Sequence, residues 1–325
     1  MRSPAASRKP RIENSQACHT SPVARLVVAL NAAAGGGRAG AAGRRAVTAL
    51  TGAGHEVDEL TAGSDGEMEA ALRRVLASDP DAVVAVGGDG TVHVAVNALA
   101  QTGVPLAIVA AGTGNDVARC LDLPHDDPDA AIAALVRAFA GDAPPVREVD
   151  AVRVSTGRWF VGMLSAGFDA AVNERANRMT RLSGTPRYVA AVLLEVARLH
   201  PRRYRVVIDR DARHLDAVLV TVGNTASIGG GMRLAPDARV DDGLLDVLVA
   251  APLSRRALLR LLPRVFRGTH VDDEHVDIVR GRVVSIDVDD RGPAPVTYAD
   301  GERFGPLPVT LEAVRGALRI VDARR

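Results

Sequence analysis

Lysine is nearly missing from this chain: Lys9 is the single example among 40 basic residues, and the rest are arginine. With 39 acidic residues the formal net charge is +1, and no basic run occurs beyond the N-terminal tail. That balance gives no electrostatic pull toward nucleic acid, which is therefore not expected as a partner. Cysteine is almost as scarce. Cys18 and Cys120 lie in unlike contexts without metal-ligand spacing, as suits a reduced, cytoplasmic setting rather than a disulfide scaffold. A membrane span is also lacking. The longest uncharged segment, Gly90–Asn115, is interrupted by Gly103, Pro105, Gly112 and Gly114 and carries His93, Asn97 and Gln101. It parses as helix, turn, strand and loop. The first 22 residues have no apolar run of the secretory-signal kind and read as a disordered tail. No GK[ST] triplet occurs, so there is no Walker A loop.

What is present is organised around residues 81–97, DAVVAVGGDGTVHVAVN. Ala82–Val86 is a short apolar run rich in alanine and valine, as in a strand buried on both faces. It breaks into Gly87, Gly88, Asp89, Gly90 and Thr91, and helical spacing resumes at Val92, Val96 and Leu99. Glycine lets backbone approach a ligand closely, and the amides opening a helix lack internal partners and favour an anion. The pattern suits a phosphate site or an ordinary strand-to-helix turn with a capping threonine. A second turn shifts the balance. Pro105–Ala110 is another apolar strand, and Ala111, Gly112, Thr113, Gly114, Asn115 and Asp116 follow it. Two such turns at the carboxyl ends of successive parallel strands line one crevice, where open α/β sheets bind ligands.

On these two motifs, GGDGT at Gly87–Thr91 and GTGND at Gly112–Asp116, the sequence resembles the diacylglycerol kinase catalytic-domain family, which includes bacterial lipid kinases and sphingosine kinases. The resemblance covers nearly all of the chain after residue 22. It implies an N-terminal α/β nucleotide-binding domain, similar to those of NAD kinases and phosphofructokinases, over residues 23–146. A C-terminal antiparallel β-sandwich would follow over 147–325, with its last strand returning to the first domain. It further implies ATP and Mg²⁺ as cofactors and a lipid alcohol as substrate, diacylglycerol first and a sphingoid lipid next. Such a substrate is reached at a membrane surface by peripheral association.

The site residues implied by resemblance follow the chain. Asn31 closes the first strand (Arg25–Leu30), although the family's NPxSG-like turn stands here as Asn31, Ala32, Ala33, Ala34 and Gly35. Thr61 ends the second strand (His55–Leu60) and is a nucleotide contact or a helix cap. Gly87, Gly88, Gly90 and Thr91 surround the phosphates, and Asp89 acts through magnesium or its waters. Gly112, Thr113 and Asn115 add nucleotide contacts, while Asp116 is a further contact or a helix-capping acid. After the linker-like Gly141–Pro145, the SAGFDAA run at Ser165–Ala171 matches the family's GFDA signature, with Gly167 and Asp169 either shaping the lipid side of the cleft or forming a bend and a helix N-cap. At the DDGL turn the resemblance implies a structural Mg²⁺ held by the Asp242 carboxylate and the backbone carbonyls of Arg239 and Leu244. Read without the family, that Asp-Gly pair is a hairpin turn. The late ADGE run places the catalytic base at Glu302, with Asp300 assisting.

The coarse pattern gives helices over Arg44–Leu50, Glu67–Leu76, Ala130–Ala140 and Pro186–Leu199, the last either bordering a lipid entrance or, more simply, facing the core. Strands are expected at Tyr204–Ile208, Leu215–Val222, Leu244–Val249, Val283–Val288, Leu307–Ala313 and Ala317–Val321. Trp159 and Phe160 are either core or a membrane-contacting spot. Two rival functions stand beside the lipid kinase: a kinase of a soluble substrate, and a non-catalytic nucleotide-binding protein. Against them stand the second-half run Gly229–Asp246 and the carboxylates Asp89, Asp242, Asp300 and Glu302. A homo-oligomer is left open by the sequence.

Overall fold

The computed structural model describes residues 23–31, 37–179, 184–289 and 292–324. The expected tail and the NPxSG-like turn at 32–35 lie outside the described residues. The first half runs β1 (Arg25–Leu30), α1 (Arg38–Gly52), β2 (Glu56–Thr61), α2 (Asp65–Val75), β3 (Ala82–Gly87), α3 (Asp89–Leu99), β4 (Leu106–Ala110), α4 (Asp116–Cys120) and α5 (Pro128–Ala138). Its strands lie parallel in the order β2-β1-β3-β4. The unbroken apolar runs of β1 and β3 have a direct cause. Val27, Ala29, Val83 and Ala85 pack against α2 and α3 on one face. Leu26, Val28, Val84 and Val86 meet α1 and α5 on the other. β2 is the edge strand, and its Glu56, Asp58 and Glu59 keep that edge charged. Helix α2 starts where Ser64 Oγ accepts from the Glu67 amide while Glu67 Oε2 accepts from Gly63 N, a reciprocal cap.

The second half continues with β5 (Val146–Val154), β6 (Trp159–Phe160), β7 (Met163–Gly167), α6 (Phe168–Arg178), α7 (Gly184–Ala197), β8 (Arg202–Ile208), β9 (Asp211–Ala217), β10 (Leu219–Gly223), β11 (Leu245–Ala250), α8 (Arg255–Val265), β12 (Val276–Gly281), β13 (Val283–Val288), β14 (Val296–Ala299), β15 (Glu302–Pro306) and β16 (Val309–Val321). Six of these strands form an antiparallel sheet in the order β12-β11-β10-β7-β14-β15. Its inner face, including Leu164, Val220 and Val247, packs on Tyr204, Val206, Ile286 and Leu311 of the other sheet. The fold is thus an α/β domain followed by an antiparallel β-sandwich-like domain.

One strand links the two. β16 pairs antiparallel with β13 through Val309–Glu312, and its Ile320 lies parallel beside Leu106 of β4. The parallel sheet is thereby prolonged into a ten-stranded one. The two expected segments, Leu307–Ala313 and Ala317–Val321, are parts of this single bent strand. Its register against β5 shifts between Val314 and Leu318, with Gly316 at φ 59, the signature of a bulge.

Another expectation needs dividing rather than joining. Leu215–Val222 reads as one alternating strand, yet it splits at Val218. β9 pairs with β8 in the large sheet, and β10 pairs with β7 and β11 in the small one. Gly167 makes the crossing possible, since a Cβ there would stand 2.5 Å from the Val218 carbonyl oxygen. α8 and β12 are elements beyond those expected; α8 contains Pro263, and β12 is mostly half-buried. Trp159 and Phe160 are buried in the core. No helix among the described residues is long and apolar enough to cross a membrane.

Candidate active site

The carboxyl edge of β3 and β4 forms one wall of a cleft of about 470 Å³. Its loops leave no room for side chains. A Cβ on Gly87 would stand 2.2 Å from Thr91 Oγ1, and one on Gly112 would stand 2.5 Å from the Gly88 Cα. The loops therefore touch backbone to backbone, and Ala111 N donates to Gly87 O at 2.8 Å. Asn115 sits in the left-handed region at φ 53 and is only 8% exposed. Its Oδ1 accepts from Gly112 N at 3.0 Å and its Nδ2 donates to His125 O at 2.7 Å. Asn115 thus shapes the loop from within, while Thr113 is exposed on the cleft wall. Gly88, Asp89, Gly90, Gly112 and Gly114 line the same wall. Thr61 lies at the end of β2 in register with Leu30. With Asn31, it stands outside the lining of this cleft among the described residues.

The opposite wall is built of carboxylates. Asp300 takes a left-handed turn at φ 50, followed by Gly301 at φ 84. Its Oδ2 accepts from Val161 N at 3.0 Å and Gly162 N at 3.1 Å, and its Oδ1 from Met163 N at 3.0 Å. Burial outweighs those three donors and pushes the Asp300 pKa up to about 6. This clamp fixes the turn that presents Glu302. The Glu302 Oε1 lies 3.3 Å from where a Cβ on Gly90 would stand, so the ADGE turn meets the GGDGT loop across the cleft. Burial raises the Glu302 pKa, the Asp65 charge adds to the rise, and Arg158 opposes it.

Arg158 is a site residue that the sequence did not point to. Its guanidinium lies 3.9 Å over the Phe304 ring, donates to Arg303 O at 3.0 Å, and stands 3.1 Å from His93 Nε2. Burial and Arg158 together push His93 down to about 4, so a neutral imidazole faces the cation. The signal was weak: a lone arginine in a hairpin, 65 residues from its histidine.

Asp89 and Asp116 stand between the walls. Burial first, and the Asp116 charge second, raise the Asp89 pKa, while amides at the start of α4 lower it. Asp116 reaches across to the second domain, where Oδ2 accepts from Gly229 N and Oδ1 from Gly230 N, each at 2.7 Å. It ties the two walls together. On the same rim, Asp169 accepts from Tyr188 Oη at 3.3 Å, and burial raises both groups.

The DDGL turn hangs from a buried acid. Asp150 Oδ2 accepts from Gly243 N at 2.7 Å and Oδ1 from Gly316 N at 2.8 Å. Asp242 Oδ1 accepts from Leu244 N at 3.0 Å, and Asp242 itself is half-buried. Asn224 Nδ2 donates to the carbonyls of Asp150 and Val161. The turn at Asp242 is thus linked through Asp150 and Asn224 to the backbone that holds Asp300. No cluster of three or more His, Cys, Asp or Glu side chains suited to a metal occurs among the described residues.

Comparison with known proteins adds an independent line. Residues 25–145 match the model of the diacylglycerol kinase catalytic domain, and residues 162–322 match the YegS C-terminal NAD kinase beta sandwich-like domain. A diacylglycerol kinase of Mycobacterium tuberculosis is 37% identical over 93% of this chain and 96% of its own length. A probable lipid kinase YegS of Salmonella heidelberg is 28% identical over 85% of this chain and 89% of its own length. The crystal structure of a diacylglycerol kinase from Bacillus anthracis superposes with a TM-score of 0.67 at 20% identity, covering 91% of this chain and 96% of that one. That last likeness speaks for the fold.

Proposed function

Because the chain belongs to the diacylglycerol kinase family of lipid kinases, we propose that it transfers the γ-phosphoryl group of ATP to the free hydroxyl of diacylglycerol. The observation that carries this reading is the meeting of Glu302 with the glycine loop across the cleft. In the proposed reaction the lipid oxygen attacks the γ-phosphorus, the bond to the β,γ-bridging oxygen breaks, and ADP leaves with that electron pair. The hydroxyl proton passes to a Glu302 carboxylate oxygen. Backbone amides of Gly88 and Gly90 hold the phosphates, Gly87 and Gly112 let the backbone come close, Thr91 and Thr113 add hydroxyls, and Asn31 and Thr61 serve the nucleotide from the neighbouring strand ends. Asp300 positions Glu302 rather than touching the substrate, since its oxygens already accept three amides.

Donor chemistry supports Mg²⁺ in two places. Burial first and the neighbouring Asp116 charge second raise the Asp89 pKa, and a cation beside Asp89 would offset both. At the second, the Asp242 carboxylate with the turn carbonyls of Arg239 and Leu244 would be the kind of small oxygen set that suits an ion retaining several waters. When bound, Mg²⁺ supplies positive charge against the phosphate oxygens. Peripheral binding at the membrane surface, on the cytoplasmic side where ATP is found, belongs to the same reading.

The test is transfer of labelled γ-phosphate from ATP and Mg²⁺ in mixed micelles. The panel holds diacylglycerol, monoacylglycerol, ceramide, sphingosine and phosphatidylglycerol, with NAD and glycerol as soluble controls. Label in diacylglycerol is expected. Glu302→Ala should lower kcat by about 10²–10⁴-fold, the usual weight of a general base, with ATP binding retained. Label in a soluble control alone, or a Glu302→Ala variant as fast as wild type, would sink the proposal.

A further inference from the structure

Six large apolar side chains stand exposed among the described residues, and five of them sit on or at the end of two helices: Val189, Leu193 and Leu194 on α7, Leu259 on α8 and Phe266 at its C-terminal cap. The two helices pack against each other. On α7, Val189 and Leu193 are 49% and 57% exposed and recur at i and i+4, on the side away from buried Ala191. The core-facing helix expected here is therefore apolar on its outer side too. On α8, Leu261 and Val265 are buried, while Leu259 and Phe266, at 44% and 57%, recur with Pro263 at i, i+4 and i+7 as a second apolar stripe.

Charge on α8 is of one sign. No Asp or Glu occurs between Val247 and Val271. Arg256 and Arg260 fall on one exposed stripe of α8 beside Leu259, exposed Arg267 follows Phe266 in the turn that ends the helix, and Arg255 flanks its start. Arg264 is paired with Asp273, but these four arginines have no ion-pair partner among the described residues. A face that combines exposed large apolar groups with unpaired arginines matches the boundary of an anionic bilayer, where acyl chains take the first and headgroup phosphates the second.

Position completes the argument. Arg187 and Tyr188 of α7 line the active-site cleft, and Glu195 near its end lines a second, largely apolar cavity of about 250 Å³. At the end of α8, Val265 O accepts from Arg233 N at 3.0 Å. Arg233 adjoins Met232, another cleft residue. Both helices thus adjoin the cleft, α7 by lining it and α8 through the segment that carries Met232. We propose that the outer face of α7 and α8 docks on an anionic lipid bilayer, with Leu259 and Phe266 entering the headgroup region and Arg256, Arg260 and Arg267 taking lipid phosphates. The surface serves the lipid-kinase reading, yet its test needs no catalysis.

The full-length chain is floated with phosphatidylcholine vesicles, with or without phosphatidylglycerol, in the absence of ATP. Binding is expected only with phosphatidylglycerol and should weaken as salt is raised. Leu259→Ser/Phe266→Ser and Arg256→Glu/Arg260→Glu/Arg267→Glu should each lower partitioning by about tenfold or more. Thermal melts and micellar kinase activity of both variants should stay at wild-type values, since none of these residues lies in the cleft. A wild type that stays with the unbound fraction overturns the proposal, even where micellar transfer is normal. So does a wild type that sediments as a dimer which Phe266→Ser dissociates while vesicle binding is unchanged; the face would then hold a second copy. Vesicle binding without transfer to any lipid would instead count against the kinase reading alone.

Discussion

The two walls of the cleft are made from different materials. The nucleotide wall is backbone: Gly88 and Gly112 are pressed against each other and Gly87 against the Thr91 side chain, so closely that no further side chain fits. The acceptor wall is side chain: Asp300, Glu302, Asp169 and Tyr188 are all desolvated, with every pKa raised. Backbone amides do not titrate, so the amide contacts of the first wall should stay alike across the pH range in which the second changes state. Geometry governs one wall and protonation the other.

The sharpest way to break this comparison is to add one methyl group to the backbone wall. Gly112→Ala sets a Cβ 2.5 Å from the Gly88 Cα, and backbone on both sides cannot yield as a side chain would. Overpacking of this kind costs about 1–3 kcal/mol, and kcat/KM for ATP should fall by about 10- to 100-fold at every pH. Gly66→Ala, where nothing lies within 4 Å, serves as the neutral control. An unchanged kcat/KM for ATP in Gly112→Ala would show that the loops part freely.

On the acceptor wall the next effect is a stability slope. The folded pKa of Asp300, about 6, lies above the ordinary aspartate value of 3.8. Folded protein therefore holds this proton more tightly than the unfolded chain. The resulting stabilisation is present below the ordinary value and is lost as pH rises through about 6. Asp300→Asn removes that slope and disturbs the three-amide clamp, so its melting temperature should vary less over this window than that of wild type. Parallel curves for the two proteins would place the titration elsewhere.

The smallest effect is the most diagnostic. Glu302 must be ionised to take a proton, and its raised pKa puts the acid limb of kcat/KM above the usual glutamate range. Arg158 favours the ionised form, so Arg158→Gln should move that limb upward by about one unit or less. KM for ATP should hold still. A limb that does not move would remove Arg158 from the field acting on Glu302.

Legibility in the sequence follows the range of the interactions. The strand, glycine turn and helix of each loop are local, and Ala82–Val86 or Gly87–Thr91 read directly because neighbours in the chain are neighbours in space. The β9–β10 break did not read, because alternation continues through Val218 while the strand changes sheets. Asp116 read as a nucleotide contact or a helix cap; only the fold brings Gly229 and Gly230, 113 and 114 residues away, to its oxygens. Asp300 was legible as an acid of the ADGE run, but its three amides lie 137 to 139 residues distant.

By itself the sequence determined which segments alternate, which turns need glycine, and which motifs imply phosphate and lipid chemistry, since these depend on local dihedral freedom and the period of apolar residues. Only the tertiary structure decided which carboxylates lose their water, which amides they hold, and which apolar helix faces remain uncovered. Desolvation and unpartnered surface are properties of the packed whole, and no stretch of chain specifies them alone.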